Sequence, residues 1–316
     1  MKRLKVGVIG ATGGIGKRRC EYFSENPSSE VVAVCARREE EVRAIASQFG
    51  ARWFTRWEEL LAHPDIEAVD VATINATHYS MTRAALEAGK HTCVEYPLAQ
   101  SVEQYDELFA LAQEKKVILH DALTVRFEAL HEALRNNLPH IGEPVWAHYR
   151  YYGGGPGSWY AEPQLRGNPF IALHIHFIEQ QRDLLGEPEW VQATLWEKSE
   201  GGNRVSGNIM LGFSGNVTGY IEFGMGFCAK PSYQITYLGS DGFLEFNQGK
   251  LHLHTADSTK EVIVGENRAL QLDTDNFVAQ VLSGAEPLSP PCVGRRAIEL
   301  CLAATRSVED NRRVTV

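Results

Sequence analysis

Three runs of this chain hold residue types suited to a nucleotide cofactor. The first is Gly10-Ala11-Thr12-Gly13-Gly14-Ile15-Gly16, which follows an apolar run and precedes a helical pattern. Glycines there allow a tight turn and a close approach of backbone to a pyrophosphate. The helix behind them adds N–H donors and a favourable dipole. The spacing is Gly-x-x-Gly-x-x-Gly, one residue longer at the front than the usual Gly-x-Gly-x-x-Gly. A structural turn without a ligand is the alternative. The second run closes the next apolar segment as Cys35-Ala36-Arg37-Arg38. An acidic residue at that point would bind a ribose 2′-hydroxyl, whereas a guanidinium suits a 2′-phosphate. NADP(H) is therefore expected over NAD(H), with NAD(H) possible. A solvated charge cluster with Glu39–Glu41 is the other reading of these arginines. The third run is Thr73-Ile74-Asn75-Ala76-Thr77-His78, at the end of a later apolar run. Asn75 and His78 are expected near the nicotinamide ribose or the ligand, or His78 is simply a residue of the helix start.

The reacting groups are expected farther on. Glu95-Tyr96-Pro97 ends another apolar run, and Pro97 restricts Tyr96 to extended geometry. A tyrosine has an unperturbed pKa of ~10, so it is a neutral donor at pH 7 and suits a reductive step better than an oxidative one. His174 and His176 are the other titratable candidates, with a core or hydrogen-bonding role as the alternative for His174. At spacing i, i+2 they share a face on a strand and diverge on a helix. No third ligand at recognisable spacing accompanies them, so no metal site is expected. Tyr149, Tyr151, Tyr152, Trp159 and Tyr160 surround a glycine run and either wall a substrate cleft or pack at an edge.

These residues need a frame. Apolar runs Lys5–Ile9, Val31–Cys35, Ala68–Ala72, Thr92–Glu95 and Val117–His120 alternate with helical patterns, the signature of β-α-β units and a parallel sheet covered on both faces. Ser101 followed by Gln104 marks a helix start, and Gly89 a helix stop. Beyond Asp121 the pattern changes. A helical stretch spans about 127–136. Alternating segments follow at 145–152, 190–196, 206–213, 217–223, 234–238 and 251–254, with turn signals at 214–216, 240–242 and 247–249. They predict an antiparallel meander. A helix bearing Ile298, Cys301, Leu302, Thr305 and Val308 closes the chain. The expectation is an α/β chain with a doubly wound Rossmann domain at 1–122. A second domain at 123–316, with a large antiparallel-rich sheet, would bind substrate and form an oligomer.

Bulk properties bound the partners. The 316 residues carry a formal net charge of −9, which argues against nucleic acid or anionic membrane as a partner. No apolar stretch reaches the ~20 residues of a membrane span. The six cysteines show no paired spacing, so reduced thiols in a cytoplasmic protein are expected.

The glycine loop, Thr73–His78, Ala88-Gly89-Lys90-His91, Glu95-Tyr96-Pro97, Arg126-Phe127 and the run 173–186 together resemble the glucose-fructose oxidoreductase / inositol dehydrogenase / MocA (Gfo/Idh/MocA) family. The likeness is strongest over residues 5–127. It implies a Rossmann domain, a second α/β domain whose sheet often forms an oligomer interface, here a dimer, and hydride transfer between a nicotinamide and a small molecule. Arg126, Trp159, Tyr160 and His176 then become candidate substrate contacts beside Tyr96, and Glu95 and Thr73 cofactor contacts. The chain departs from the family twice. The usual Glu-Lys-Pro reads Glu-Tyr-Pro, which is similar to the biliverdin reductases of this superfamily. The usual Asp-x-Gly-x-His, followed by Asp, reads Ala172-Leu173-His174-Ile175-His176, followed by Glu179. The segment Asp121–Arg126 lacks the acidic and histidine character that biliverdin reductases show there, and the run around Phe177 lacks their arginines. The leading expectation is an NADPH-dependent reductase, with a tetrapyrrole as one specific substrate. The alternatives are a sugar or polyol dehydrogenase that uses His176, and a silent NAD(P)-binding regulator.

Overall fold

The computed structural model describes residues 2–153, 159, 162–198, 204–227 and 230–316. In chain order the first elements are β1 (Leu4–Ile9), α1 (Gly14–Glu25), β2 (Ser29–Cys35), α2 (Glu39–Phe49), β3 (Arg52–Phe54), α3 (Trp57–Leu61), β4 (Ala68–Val71), α4 (Asn75–Glu87), β5 (His91–Glu95), α5 (Val102–Lys115) and β6 (Leu119–Ala122). Then come α6 (Ala129–Asn137), β7 (Pro144–Gly153), α7 (Pro163–Arg166), α8 (Pro169–Leu185), β8 (Trp190–Lys198), β9 (Arg204–Gly212), β10 (Thr218–Met225), β11 (Ser232–Gly239), β12 (Gly242–Asn247), β13 (Lys250–Thr255) and β14 (Thr259–Val262). The chain ends in α9 (Ala269–Ser283), α10 (Pro291–Asp310) and β15 (Val314–Thr315).

Two compact units result: residues 1–124 with 269–295, and residues 125–268 with 296–316. The first break lies two residues beyond the expected boundary at 122. The second domain is not the single run 123–316, because α9 joins the first unit. Nothing in α9's own sequence marks that return. Phe277 and Val278 are buried in a cluster with Phe23, Cys20 and Val8.

The first unit holds a six-stranded parallel sheet in the order β3-β2-β1-β4-β5-β6. Every residue of β4 and β6 is buried, as strands covered on both faces require. Local signals set the helix ends. The Ser101 hydroxyl accepts the Gln104 N–H at 3.2 Å, and the Gln104 side chain accepts the Gln100 N–H at 3.0 Å. Such a cap is worth about 1 kcal/mol. Gly89 follows α4 with φ 71°. The last strand, read at 117–120, forms at 119–122 instead. Lys116 adopts a left-handed C-cap and the Val117 N–H bonds back to the Ala112 carbonyl, which uses up the first residues of that run.

The second unit holds nine strands in the order β14-β13-β12-β11-β7-β10-β9-β8-β15. The expected meander is interrupted: β7 inserts between β11 and β10 and pairs with β10 in parallel. The other pairings are antiparallel. One face packs on α8, where Tyr149 stacks on Phe177 at 3.6 Å and His174 lies 3.7 Å from Phe223 between ring centroids. The opposite face presents Trp146, His148, Arg150 and Tyr152 of β7 and Tyr220 of β10, all half-buried or exposed. Among the described residues, no helix is long and apolar enough to cross a membrane.

Candidate functional site

The first unit builds a cradle at the carboxyl end of its sheet. After β1 the chain turns at Gly10 with φ 89°, and a Cβ there would lie 2.1 Å from the Ala72 carbonyl oxygen. A Cβ on Gly16 would lie 2.3 Å from the Gly10 carbonyl oxygen. These two glycines let α1 start directly against β1 and β4. Gly13 and Gly14 have a different reason to be glycine. A Cβ on Gly14 meets nothing within 4 Å, and one on Gly13 meets only the Gly10 carbonyl at 3.3 Å. The space above Thr12, Gly13, Gly14 and Ile15 is open, and all four are exposed or half-exposed. The first turn of α1 carries no acidic residue and its N-cap Gly13 has no side-chain bond. Its leading N–H groups lack intrahelical acceptors. The arrangement fits a pyrophosphate.

The strand order changes direction between β1 and β4, the crevice where such sheets take a dinucleotide. Arg37 and Arg38 follow β2, on the adenosine side. Both are exposed; Arg38 pairs with Glu41 at 2.8 Å, while no ion pair engages Arg37 among the described residues. On the other side, Thr73 is half-buried and its hydroxyl bonds to the Thr77 hydroxyl at 2.8 Å. Asn75 opens α4; it is 4% exposed and its amide nitrogen has no partner among the described residues. His78 lies in the first turn of α4 and is buried. Its Nδ1 faces the Pro97 carbonyl at 2.8 Å and its Nε2 the Thr73 carbonyl at 3.1 Å, so no ring nitrogen is left for a ligand. Burial lowers its pKa and the two carbonyls oppose that shift. His78 ties the loop after β4 to the loop after β5.

Glu95 ends β5, and the half-buried Tyr96 follows it. Behind them lies a charged cluster that the sequence did not suggest. Arg19 of α1, fully buried, donates to Glu95 Oε1 through Nε at 3.0 Å and Nη2 at 2.7 Å, and to the Thr274 hydroxyl at 2.8 Å. It pairs with Asp273 at 2.7 Å and lies 3.5 Å from Asp70. His120 Nε2 is 2.8 Å from Asp273 Oδ1, and the Gln280 amide donates to His120 Nδ1. Burial pushes Asp70 up to about 7 against the pull of Arg19, and pushes Asp121 up to about 7 against its Tyr105 hydrogen bond. Burial raises Glu95 as well, opposed by Arg19. Burial also works against ionised Asp273, yet His120 and Arg19 hold it below the usual carboxylate range. Cys93, His120 and Asp273 bring ligand atoms within 4.8 Å of one another. The donor atoms of His120 and Asp273 are already used on each other and on Arg19. A charged residue inside an apolar run, Asp70 in Ala68–Val71, was the available signal. Nothing local pointed to Asp273.

In the second unit the two histidines lie on a helix and diverge. His174 is fully buried between Phe223 and Phe177, and neither ring nitrogen has a hydrogen-bond partner among the described residues. Burial, with Arg166 adding to it, drops its pKa well below the usual range. It is a neutral packing residue, which corrects the expectation of a catalytic His174. His176 lies with Nδ1 3.8 Å from Glu128, and burial pushes its pKa down to about 3. Burial pushes Glu128 up to about 7, and Glu128 is a candidate that the sequence did not single out. Arg126 bonds Glu179 at 2.6 Å and pairs with Asp183 at 3.0 Å, while its side chain stays partly accessible. Trp159 is half-buried; Tyr160 lies outside the described residues.

Residues 4–122 match the oxidoreductase family with an NAD-binding Rossmann fold, and residues 127–245 match the GFO/IDH/MocA C-terminal domain. A biliverdin reductase from Synechocystis sp. PCC 6803, solved with biliverdin and NADP+, is similar with a TM-score of 0.89 and 28% identity, over 97% of this chain and 99% of that one. The dTDP-3,4-didehydro-2,6-dideoxy-alpha-D-glucose 3-reductase of Actinomadura kijaniata is 26% identical over 90% of this chain and 89% of its own length. The 1,5-anhydro-D-fructose reductase of Ensifer adhaerens is 32% identical over 58% of this chain and 52% of its own. The chain belongs to the Gfo/Idh/MocA family and is an NAD(P)-dependent oxidoreductase.

Proposed function

We propose that this chain is a cytoplasmic NADPH-dependent reductase that delivers hydride to a small organic substrate, with a linear tetrapyrrole as the first candidate. The observation that carries the reading is Tyr96, a neutral donor at the carboxyl end of β5, where the family usually has lysine. The bound cofactor supplies the hydride. Thr12–Gly16 hold its pyrophosphate, Arg37 its 2′-phosphate, and Thr73, Asn75 and Glu95 its nicotinamide half. Tyr96 hydrogen-bonds the substrate atom that gains electron density. The likeness to the biliverdin-bound Synechocystis enzyme supports the tetrapyrrole. A polyol dehydrogenase would need a base, and His176, pushed down to about 3, is a weak one. The test is steady-state loss of reduced nicotinamide with biliverdin, a dTDP-ketosugar and 1,5-anhydrofructose. Turnover of biliverdin alone supports the full reading. Turnover only of a sugar overturns the tetrapyrrole assignment, and oxidation of sugars with no reduction of any compound overturns the reductase.

Arg37→Ala should weaken NADPH about tenfold or more and leave NADH nearly unchanged, since a charge-assisted hydrogen bond is worth about 1.5–3 kcal/mol. Arg38→Ala should matter less, because Arg38 already pairs with Glu41. Equal affinity of the unmodified protein for both cofactors, by fluorescence titration, contradicts this.

The protein is also proposed to form a homodimer through the face of its nine-stranded sheet opposite α8. That face carries aromatic Trp146, Tyr152 and Tyr220 beside a hydrogen-bonded row from Arg150 through Gln234 to Glu245. Sedimentation velocity at micromolar concentration should give a dimer, and Tyr220→Asp should shift it toward monomer. A monomeric unmodified protein rules the proposal out.

A further inference from the structure

We infer that Arg19 is a positioning residue for hydride transfer, a clamp that holds Glu95, and through it the Tyr96 backbone, against α1 and α9. The inference rests on the reading of Tyr96 given above. Arg19 has no surface of its own, while the Glu95 side chain is 11% accessible, so the carboxylate is the outward end of the cluster. A guanidinium presents donors in a planar fork, and here that fork is shared among Glu95, Thr274 and Asp273. The three partners come from β5 and α9, and Arg19 itself from the helix whose N-terminus forms the phosphate cradle. One side chain thus ties the phosphate end of the site to the strand end that carries Tyr96.

A buried ion cluster is weak evidence of stability, because desolvation of the charges offsets their attraction. Its placement is informative. Glu95 is the last residue of β5 and is bonded twice to one guanidinium, so the orientation of the peptide that leads to Tyr96 is set by that contact. Asp273 and Thr274 sit in α9, far along the chain, and both meet Arg19 beside the strand end, while Asp273 also bonds His120 of β6. The geometry assigns α9 the role of anchor, and that gives a reason why residues 269–283 return to the first unit.

The experiment uses Arg19→Lys and Asp273→Asn in the full chain, alone and together. Lysine keeps the charge, but its compact ammonium lacks the planar spread of donors by which the guanidinium spans Glu95, Asp273 and Thr274. Rates are expressed per NADPH-binding site so that misfolded protein does not count. The expected result is a kcat at least about tenfold lower for Arg19→Lys at saturating NADPH, with the substrate KM within threefold, and a smaller loss for Asp273→Asn. The double variant should lose no more than Arg19→Lys alone, because Asp273 acts through Arg19. Fluorotyrosine-labelled protein gives a readout free of turnover: the Tyr96 fluorine resonance, assigned with Tyr96→Phe, should shift or split in both single variants. Kcat within twofold of the unmodified protein together with an unmoved resonance overturns the inference, as does a loss confined to melting temperature. Should Tyr96→Phe leave kcat unchanged, the donor reading fails, and the resonance alone still decides whether Arg19 positions that residue.

Discussion

Tyr96→Phe should lower kcat by roughly tenfold or more, with NADPH affinity nearly unchanged. Phenylalanine keeps the ring and removes only the hydroxyl, so the packing of a half-buried side chain is preserved. General-acid assistance contributes typically 10²–10⁴-fold, and tenfold corresponds to about 1.4 kcal/mol of transition-state stabilisation. A change under threefold would mean that Tyr96 shapes the pocket while water or another group supplies the proton. Stopped-flow oxidation of bound NADPH separates this chemical step from product release. Tyr96→Lys examines the same position from the family's side. A gain of sugar dehydrogenase activity would show that the rest of the site keeps the common geometry. No gain would agree with the absence of the Asp-x-Gly pattern before His176 and with the engagement of Arg126 by Glu179 and Asp183.

The other large effect is expected at Gly10. Alanine there adopts φ 89° only with strain, and its Cβ would stand 2.1 Å from the Ala72 carbonyl oxygen. Left-handed strain and overpacking each cost roughly 1–3 kcal/mol. Set against a total of about 5–15 kcal/mol, that lowers the melting temperature by roughly 5–15 °C and opens the contact between β1 and β4. NADPH binding should fall more than about a hundredfold, since the cradle is displaced at its root. Gly14→Ala is the paired control. Its Cβ meets no protein atom, and alanine favours the helix start, so the melting temperature should hold or rise. NADPH affinity should still fall, because the methyl group occupies the space of the phosphate. Equal melting temperatures for the two variants would refute the assignment of separate roles to these glycines. Differential scanning fluorimetry with and without NADPH measures both quantities.

The glycine loop, the caps at Ser101 and Gly89, the five longer strands of the parallel sheet and Glu95-Tyr96-Pro97 were all legible in the sequence. Each depends on neighbours within a few residues: a turn that needs positive φ, a hydroxyl that reaches the N–H three residues on, an apolar run that must be covered on both faces. The sequence also showed that the usual lysine is a tyrosine, which is the basis of the functional reading. Tertiary structure decided what depends on distant partners. Strands β12 and β14 and the parallel pairing of β7 with β10 arise from register across the sheet, which no local period encodes. His174 and His176 read as a pair until α8 turned one into an aromatic core and the other toward Glu128, because residues two apart on a helix point in different directions. The Arg19 cluster is the clearest case. Its members lie up to 255 residues apart, and a charge in a helix or strand reveals its partner only when folding removes the water that would otherwise solvate it.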